Sequence, residues 1–212
     1  MRLHLPSICA GAAVALSLAT AANAAIPSYP DGGTENPLTY SFTATADGDL
    51  VAYFAGTGAA FSEVLGVLVN GVDSGVTGLE NQTSTVGDSL NFGAVNAGDL
   101  LTFYINVNSG QYIWYSDKSL NLDGIGGGTS QHVWSTSYAG GDAGIPAGVY
   151  VGFEDLPRDG TDLNYGDLTF VFSNVSAVTT DVPEPQAWAL MLLGFGVSGA
   201  MLRRRRASPA LA

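Results

Sequence analysis

An all-β fold, an antiparallel two-sheet sandwich of jelly-roll-like type, is what this sequence predicts for its central region. Three observations lead there. Short runs of aromatic and β-branched residues recur between Gly, Asn, Asp and Ser clusters. Within the runs apolar and polar residues alternate, as in half-buried strands. No stretch between residues 38 and 181 carries a helical apolar stripe.

Residues 25–37 (AIPSYPDGGTENP) are rich in Pro, Gly and polar groups and read as an extended leader. The domain proper starts near Leu38. Leu38, Tyr40, Phe42 and Ala44 fall on one face of a strand and Thr39, Ser41, Thr43 and Thr45 on the other. Asp47-Gly48-Asp49 turns the chain, and Leu50–Ala55 is expected to return as the second arm of an antiparallel hairpin. Further strands are expected at Glu63–Asn70, Ser89–Phe92, Leu100–Val107, His132–Tyr138, Gly148–Glu154 and Asp167–Val175. Ser116–Ser130 (SDKSLNLDGIGGGTS) is too rich in Gly, Asp and Asn for a strand and reads as a surface loop. Strands of this number and length are most simply arranged as two packed sheets.

The two ends of the chain differ from its middle. Arg2 precedes an apolar stretch, Ile8–Ala22, too short to span a bilayer comfortably, and Ala22-Asn23-Ala24 has the small-x-small pattern read by signal peptidase. Residues 1–24 are therefore expected to be a signal peptide cleaved after Ala24. The sole cysteine, Cys9, leaves with it, which excludes thiol chemistry and disulfides from the mature chain. A domain of this size buries enough apolar surface to fold without such staples.

The C-terminal residues carry a second address. Pro183 and Pro185 each remove a backbone donor and constrain the preceding residue, so Val182–Pro185 separates the domain from the tail. Gln186–Leu202 is apolar apart from Gln186 and Ser198, and as a transmembrane helix it reaches roughly 25 Å. Arg203, Arg204, Arg205 and Arg206 come directly after it and are expected to stop translocation and stay cytoplasmic. Glycines 194, 196 and 199 allow close approach of another membrane helix. Residues 207–212 form a short extension. A plain tail anchor is one reading of these features. Yet VPEPQAWALMLLGFGVSGAMLRRRR also resembles, in the order of all its parts, the PEP-CTERM sorting sequence of exported proteins in Gram-negative bacteria. The resemblance implies that an exosortase, a membrane-embedded transpeptidase, recognises the tail and cuts near Pro183, Glu184 and Pro185. It also implies an exopolysaccharide and biofilm setting, with the cell surface or extracellular matrix as destination.

Charge narrows the partners of the domain. The chain has a net charge of −12, and between residues 25 and 182 only Lys118 and Arg158 are basic. Nucleic acid and anionic lipid are thereby disfavoured as partners of this region and cations favoured. A plain solubilising surface explains the same imbalance.

The densest group of side-chain oxygens lies at Gly152–Phe172 (GFEDLPRDGTDLNYGDLTFVF), with Glu154, Asp155, Asp159, Asp162, Asn164 and Asp167. Carboxylates this close repel unless they face water or bind a hard cation, and calcium takes about six to eight such oxygens. The alternative is an acidic hairpin whose Asp and Asn side chains cap their own turns. The segment resembles the last part of a β-sandwich domain of undefined function in exported bacterial proteins, which runs Phe-Glu-Asp-Leu and then Asp-x-Asp-x-Asn-Asp-Leu. Phe153–Leu156 matches, and Asp162–Leu168 matches with Tyr165-Gly166 inserted before Asp167. That resemblance implies a structural cation site rather than catalysis, with Glu154, Asp155, Asp162, Asn164 and Asp167 as the candidate calcium ligands and Asp159 as an outlier.

Catalysis has less support. His132 is the single histidine of the mature chain, and no Gly-x-Ser-x-Gly elbow accompanies it, so a structural role is expected and zinc is disfavoured. The protein is expected not to be an enzyme. Glu63, Glu80 and Glu154 keep a glycoside hydrolase open as an alternative. Tyr112, Trp114, Tyr115, Trp134 and Tyr138 flank the Ser116–Ser130 loop; they either pack inside or, with Trp114, Tyr115 and Trp134 foremost, present a lectin-like surface to sugar rings.

Overall fold

The structure is a computed structural model, and it describes residues 24–179 together with Phe195. The expected signal peptide, the Pro-Glu-Pro break, the transmembrane helix and the arginine cluster lie outside the described residues, apart from Ala24 and Phe195. No helix among the described residues is long and apolar enough to cross a membrane.

Among the described residues, eleven strands form two antiparallel sheets: β1 Tyr40–Ala44, β2 Gly48–Thr57, β3 Glu63–Val69, β4 Val72–Gly78, β5 Ser89–Val95, β6 Leu100–Val107, β7 Tyr112–Tyr115, β8 Val133–Tyr138, β9 Gly148–Phe153, β10 Leu168–Ser173 and β11 Val175–Thr179. The first sheet has the order β11-β1-β6-β3-β4, with β7 also paired to β6, and the second has the order β5-β2-β10-β9-β8. Their inner faces close on one apolar core. Phe103 of β6 stacks on Phe172 of β10 across the sandwich at 3.8 Å between ring centroids, and Phe42, Phe54, Phe153 and Phe170 fill the space around them. The all-β sandwich expected from the sequence is the fold observed.

One expected pairing is wrong. β1 and β2 do not form a hairpin: β1 pairs with β11 and β6, and β2 pairs with β10 and β5, in opposite sheets. Alternation reports which face of a strand is buried and not which strand lies beside it, and here the turn between the strands is a corner crossing the sandwich. Asn174 holds that corner. Its side-chain oxygen accepts from Thr45 Oγ1 and the Ala46 N–H, and its amide donates to the Ala46 carbonyl. Asn174 itself has φ 60°, which breaks the single expected run Asp167–Val175 into β10 of one sheet and β11 of the other.

The second sheet is buried on both faces. Its outer face carries Ala55, Tyr138, Tyr150 and Val171, which pack with Ala24, Ile26 and Trp134. The leader is the cover. Tyr29 meets the rings of Trp134 and Tyr165 edge to face, and Asn36, fully buried, donates from its amide to Tyr40 Oη and the Val133 carbonyl. Its oxygen accepts from the Leu38 N–H, and its own N–H donates to Tyr165 Oη. Glu35 draws in both basic residues of the domain, Lys118 at 3.3 Å and Arg158 at 3.1 Å, and accepts from the Gln131 N–H as well. The leader thus packs on the sandwich as a strap.

Asn36→Ala strands the buried Val133 carbonyl, a loss that costs about 1–3 kcal/mol, and frees the partly buried Leu38 N–H. A urea denaturation midpoint lowered to match, with the slope unchanged, is the expected outcome; an unchanged midpoint would show that the strap contributes nothing to stability.

Candidate metal centre

The acidic segment between β9 and β10 divides in two when it folds. Asp162 accepts from the Asn164 N–H and side-chain amide, and Asn164 Oδ1 accepts from the Gly166 N–H at 2.7 Å. These two residues spend their oxygens on a tight exposed turn in which Leu163 and Tyr165 hold φ of 55° and 52°. Burial of both those side chains offsets the backbone strain. Asp159 lies on an exposed turn of its own.

Glu154, Asp155 and Asp167 do the opposite and converge. Each offers a carboxylate oxygen within 4.8 Å of the others, with Glu154 and Asp155 buried. Backbone ties fix them: the Asp155 N–H donates to Asp167 Oδ2 at 3.0 Å, and the Asp167 N–H donates to the Phe153 carbonyl. Gly152 is needed beside them, because a Cβ there would overlap the Tyr165 carbonyl.

A fourth carboxylate comes from the other sheet. Glu63 opens β3 in phase with Leu65 and Val67, all fully buried, so its side chain enters the sandwich where an apolar group is the rule. It lies against Asp155 and feels the charges of Asp167 and Glu154. An ionised carboxylate only accepts, and neither oxygen of Glu63 has a hydrogen-bond partner among the described residues; nor has Glu154 Oε2. Burial, then the Asp155 contact and the neighbouring charges, push the Glu63 carboxyl far above the usual carboxylate range. Burial and the Glu154 charge push Asp167 the same way. From the sequence Glu63 stands only among the hydrolase alternatives, although its phase with Leu65 and Val67 marks it as a core position.

A shell of paired groups surrounds the cluster. Trp114 Nε1 donates to the Asp155 carbonyl at 2.7 Å, and its ring lies flat on His132 at 3.8 Å. His132 Nδ1 faces the Glu154 carbonyl and Nε2 faces Asp123 Oδ2 at 3.1 Å, so both ring nitrogens are engaged. Burial raises the Asp123 carboxyl, but His132, the Ser130 hydroxyl and the Arg158 N–H outweigh it and hold it below the ordinary range. Ser130 bonds to Asp123, and no hydrogen bond joins it to the imidazole, so this trio lacks the geometry of a serine nucleophile.

The aromatic groups do not form an open platform. Trp114 is buried with Tyr112 stacked on it, Trp134 lies beneath Tyr29, and Tyr115 packs against Tyr104 at the β6–β7 pair. Both edges of the Ser116–Ser130 loop are anchored inside, since Ser116, Asn121 and Ser130 are buried. Glu80 receives the hydroxyls of Ser62 and Thr83.

Fold and tail together define the class: a β-sandwich made for export. Residues 181–206 match the PEP-CTERM protein-sorting motif. That motif marks an exported protein, anchored in the membrane in transit and recognised by an exosortase. The match lies wholly outside the sandwich. No curated protein and no solved structure matches the chain.

The raised carboxyls set a pH dependence. A carboxyl whose folded pKa exceeds its unfolded value contributes stability that is complete below about pH 4 and is lost as pH rises through the folded value. In chelator, the melting temperature is therefore expected to fall from weakly acidic to alkaline pH. A flat or rising profile across that window would contradict the buried cluster.

Proposed function

We propose that this chain is an exosortase substrate that delivers a non-catalytic, calcium-stabilised β-sandwich to the cell surface or extracellular matrix, in an exopolysaccharide and biofilm setting. The sorting match at residues 181–206 is the observation that carries the delivery. The break at Pro183–Pro185 precedes the apolar run, so cutting there frees the sandwich from residues 186–212. Anchorage is then temporary, and "membrane protein" describes the transit better than the destination.

The calcium reading rests on the buried carboxylates. Four of them share one corner with no basic side chain bonded to any of them among the described residues, and a hard cation with oxygen ligands answers both the charge and the unmet lone pairs. The non-catalytic reading rests on the same burial. Burial of Glu63, Glu154 and Asp155 denies a polysaccharide access to them, and His132 is engaged on both nitrogens.

Two measurements test these readings separately. Mass spectrometry of the protein from its native surface is expected to show loss of Arg203–Arg206 and of the apolar run; their retention would make simple anchoring the better account. Millimolar calcium is expected to raise the melting temperature by roughly 5–10 °C for a domain of this size. No change with calcium, and none with chelator, would refute the stabilising ion.

A further inference from the structure

Resting on the calcium reading above, we infer that Glu63 is a ligand of the ion and that the ion clamps the two sheets together. Neither the acidic segment nor its resemblance to other sequences includes this residue. Glu63 belongs to the first sheet, whereas Glu154, Asp155 and Asp167 sit on the β9–β10 connection of the second. An ion held by all four is a direct link between the layers, at a place where packing otherwise consists of apolar side chains.

Two independent observations carry the assignment. The first is the convergence of three carboxylates within 4.8 Å. The second is Glu63 itself, 0% exposed, with both oxygens unpartnered among the described residues and directed at that group. A buried glutamate with neither a cationic partner nor a donor is costly to keep. Its backbone is held hard in place: the Glu63 N–H donates to Asn81 Oδ1 at 2.9 Å, the Asn81 N–H returns a bond to the Glu63 carbonyl, and the Asn81 amide donates to the Phe61 carbonyl. The fold positions this side chain and does not simply tolerate it. Four carboxylates offer up to eight oxygens, the number suited to calcium, and magnesium with its strict octahedral demand and retained waters is the poorer fit to a closed site.

The clamp predicts an inversion of sign. Glu63→Gln places a neutral amide of the same shape in a crowded acidic corner, so without the ion the variant should melt at or above the wild-type temperature, and with the ion it should lose most of the gain. A merely structural glutamate would give a variant less stable in both conditions.

The test compares the purified wild-type protein with E63Q, E63D and D162N. It uses melting in chelator, in calcium and in magnesium, and terbium luminescence excited through Trp114, which touches the site at the Asp155 carbonyl. Wild type and D162N are expected to show the same calcium shift, larger than with magnesium, and the same terbium affinity. E63Q is expected to keep less than half of the shift and to bind terbium at least tenfold more weakly. E63D keeps the charge on a shorter arm and should fall between; it also decides the matter should E63Q not fold. Retention of full shift and affinity in the Glu63 variants would overturn the clamp while leaving the calcium reading intact. A wild type without shift or luminescence would overturn both. Loss in D162N alone would move the ion to the exposed turn and overturn the clamp.

Discussion

Buried carboxyl groups with neither a hydrogen-bond donor nor a cationic side chain for their free oxygens are the constraint around which this corner of the molecule is arranged. A core position on β3 carries Glu63, and three more carboxylates meet it from the opposite sheet. Glu63, Glu154 and Asp155 are buried there and Asp167 partly so, and no arginine or lysine among the described residues pairs with them. Both basic residues of the domain are engaged by Glu35 on the leader. The two basic side chains of the domain thus fasten the strap and not the buried carboxylates.

The surrounding structure makes the corner rigid. His132 bonds through one nitrogen to the Glu154 carbonyl and through the other to Asp123, Asp123 receives the Arg158 N–H, and Arg158 reaches Glu35. A chain of hydrogen bonds therefore runs from the acidic cluster to the leader that covers the second sheet. Trp114 closes the other side, stacked on His132 and bonded to Asp155. Trp114, His132 and Asp123 are all engaged in this arrangement.

Much of the sandwich was legible because alternation survives wherever one face is buried: β3, β6, β8 and β9 fall close to their expected places. What alternation cannot report is partnership, and so β1 and β2 were paired although they lie in opposite sheets. β4 escaped notice because VDSGVTG lies at a sheet edge and is half exposed along most of its length, and β7 because only four residues of it precede the Gly-rich loop. The split of β10 from β11 hangs on the left-handed backbone of one residue, Asn174. In the acidic segment composition marks a dense group of oxygens but not how the fold divides it. Asp162 and Asn164 cap a turn, Asp159 stays in solvent, and Glu154, Asp155 and Asp167 turn inward. Glu63 lies far upstream, and only the three-dimensional meeting of β3 with the β9–β10 connection brings it there.

Whether an ion joins the sheets at Glu63 can be decided by anomalous diffraction from crystals of the protein grown with calcium and then exchanged with terbium. One strong anomalous peak, bounded by the carboxylates of Glu63, Glu154, Asp155 and Asp167, is the expected result. A peak at the Asp159–Asn164 turn with none between the sheets, or no peak at all, would contradict the clamp.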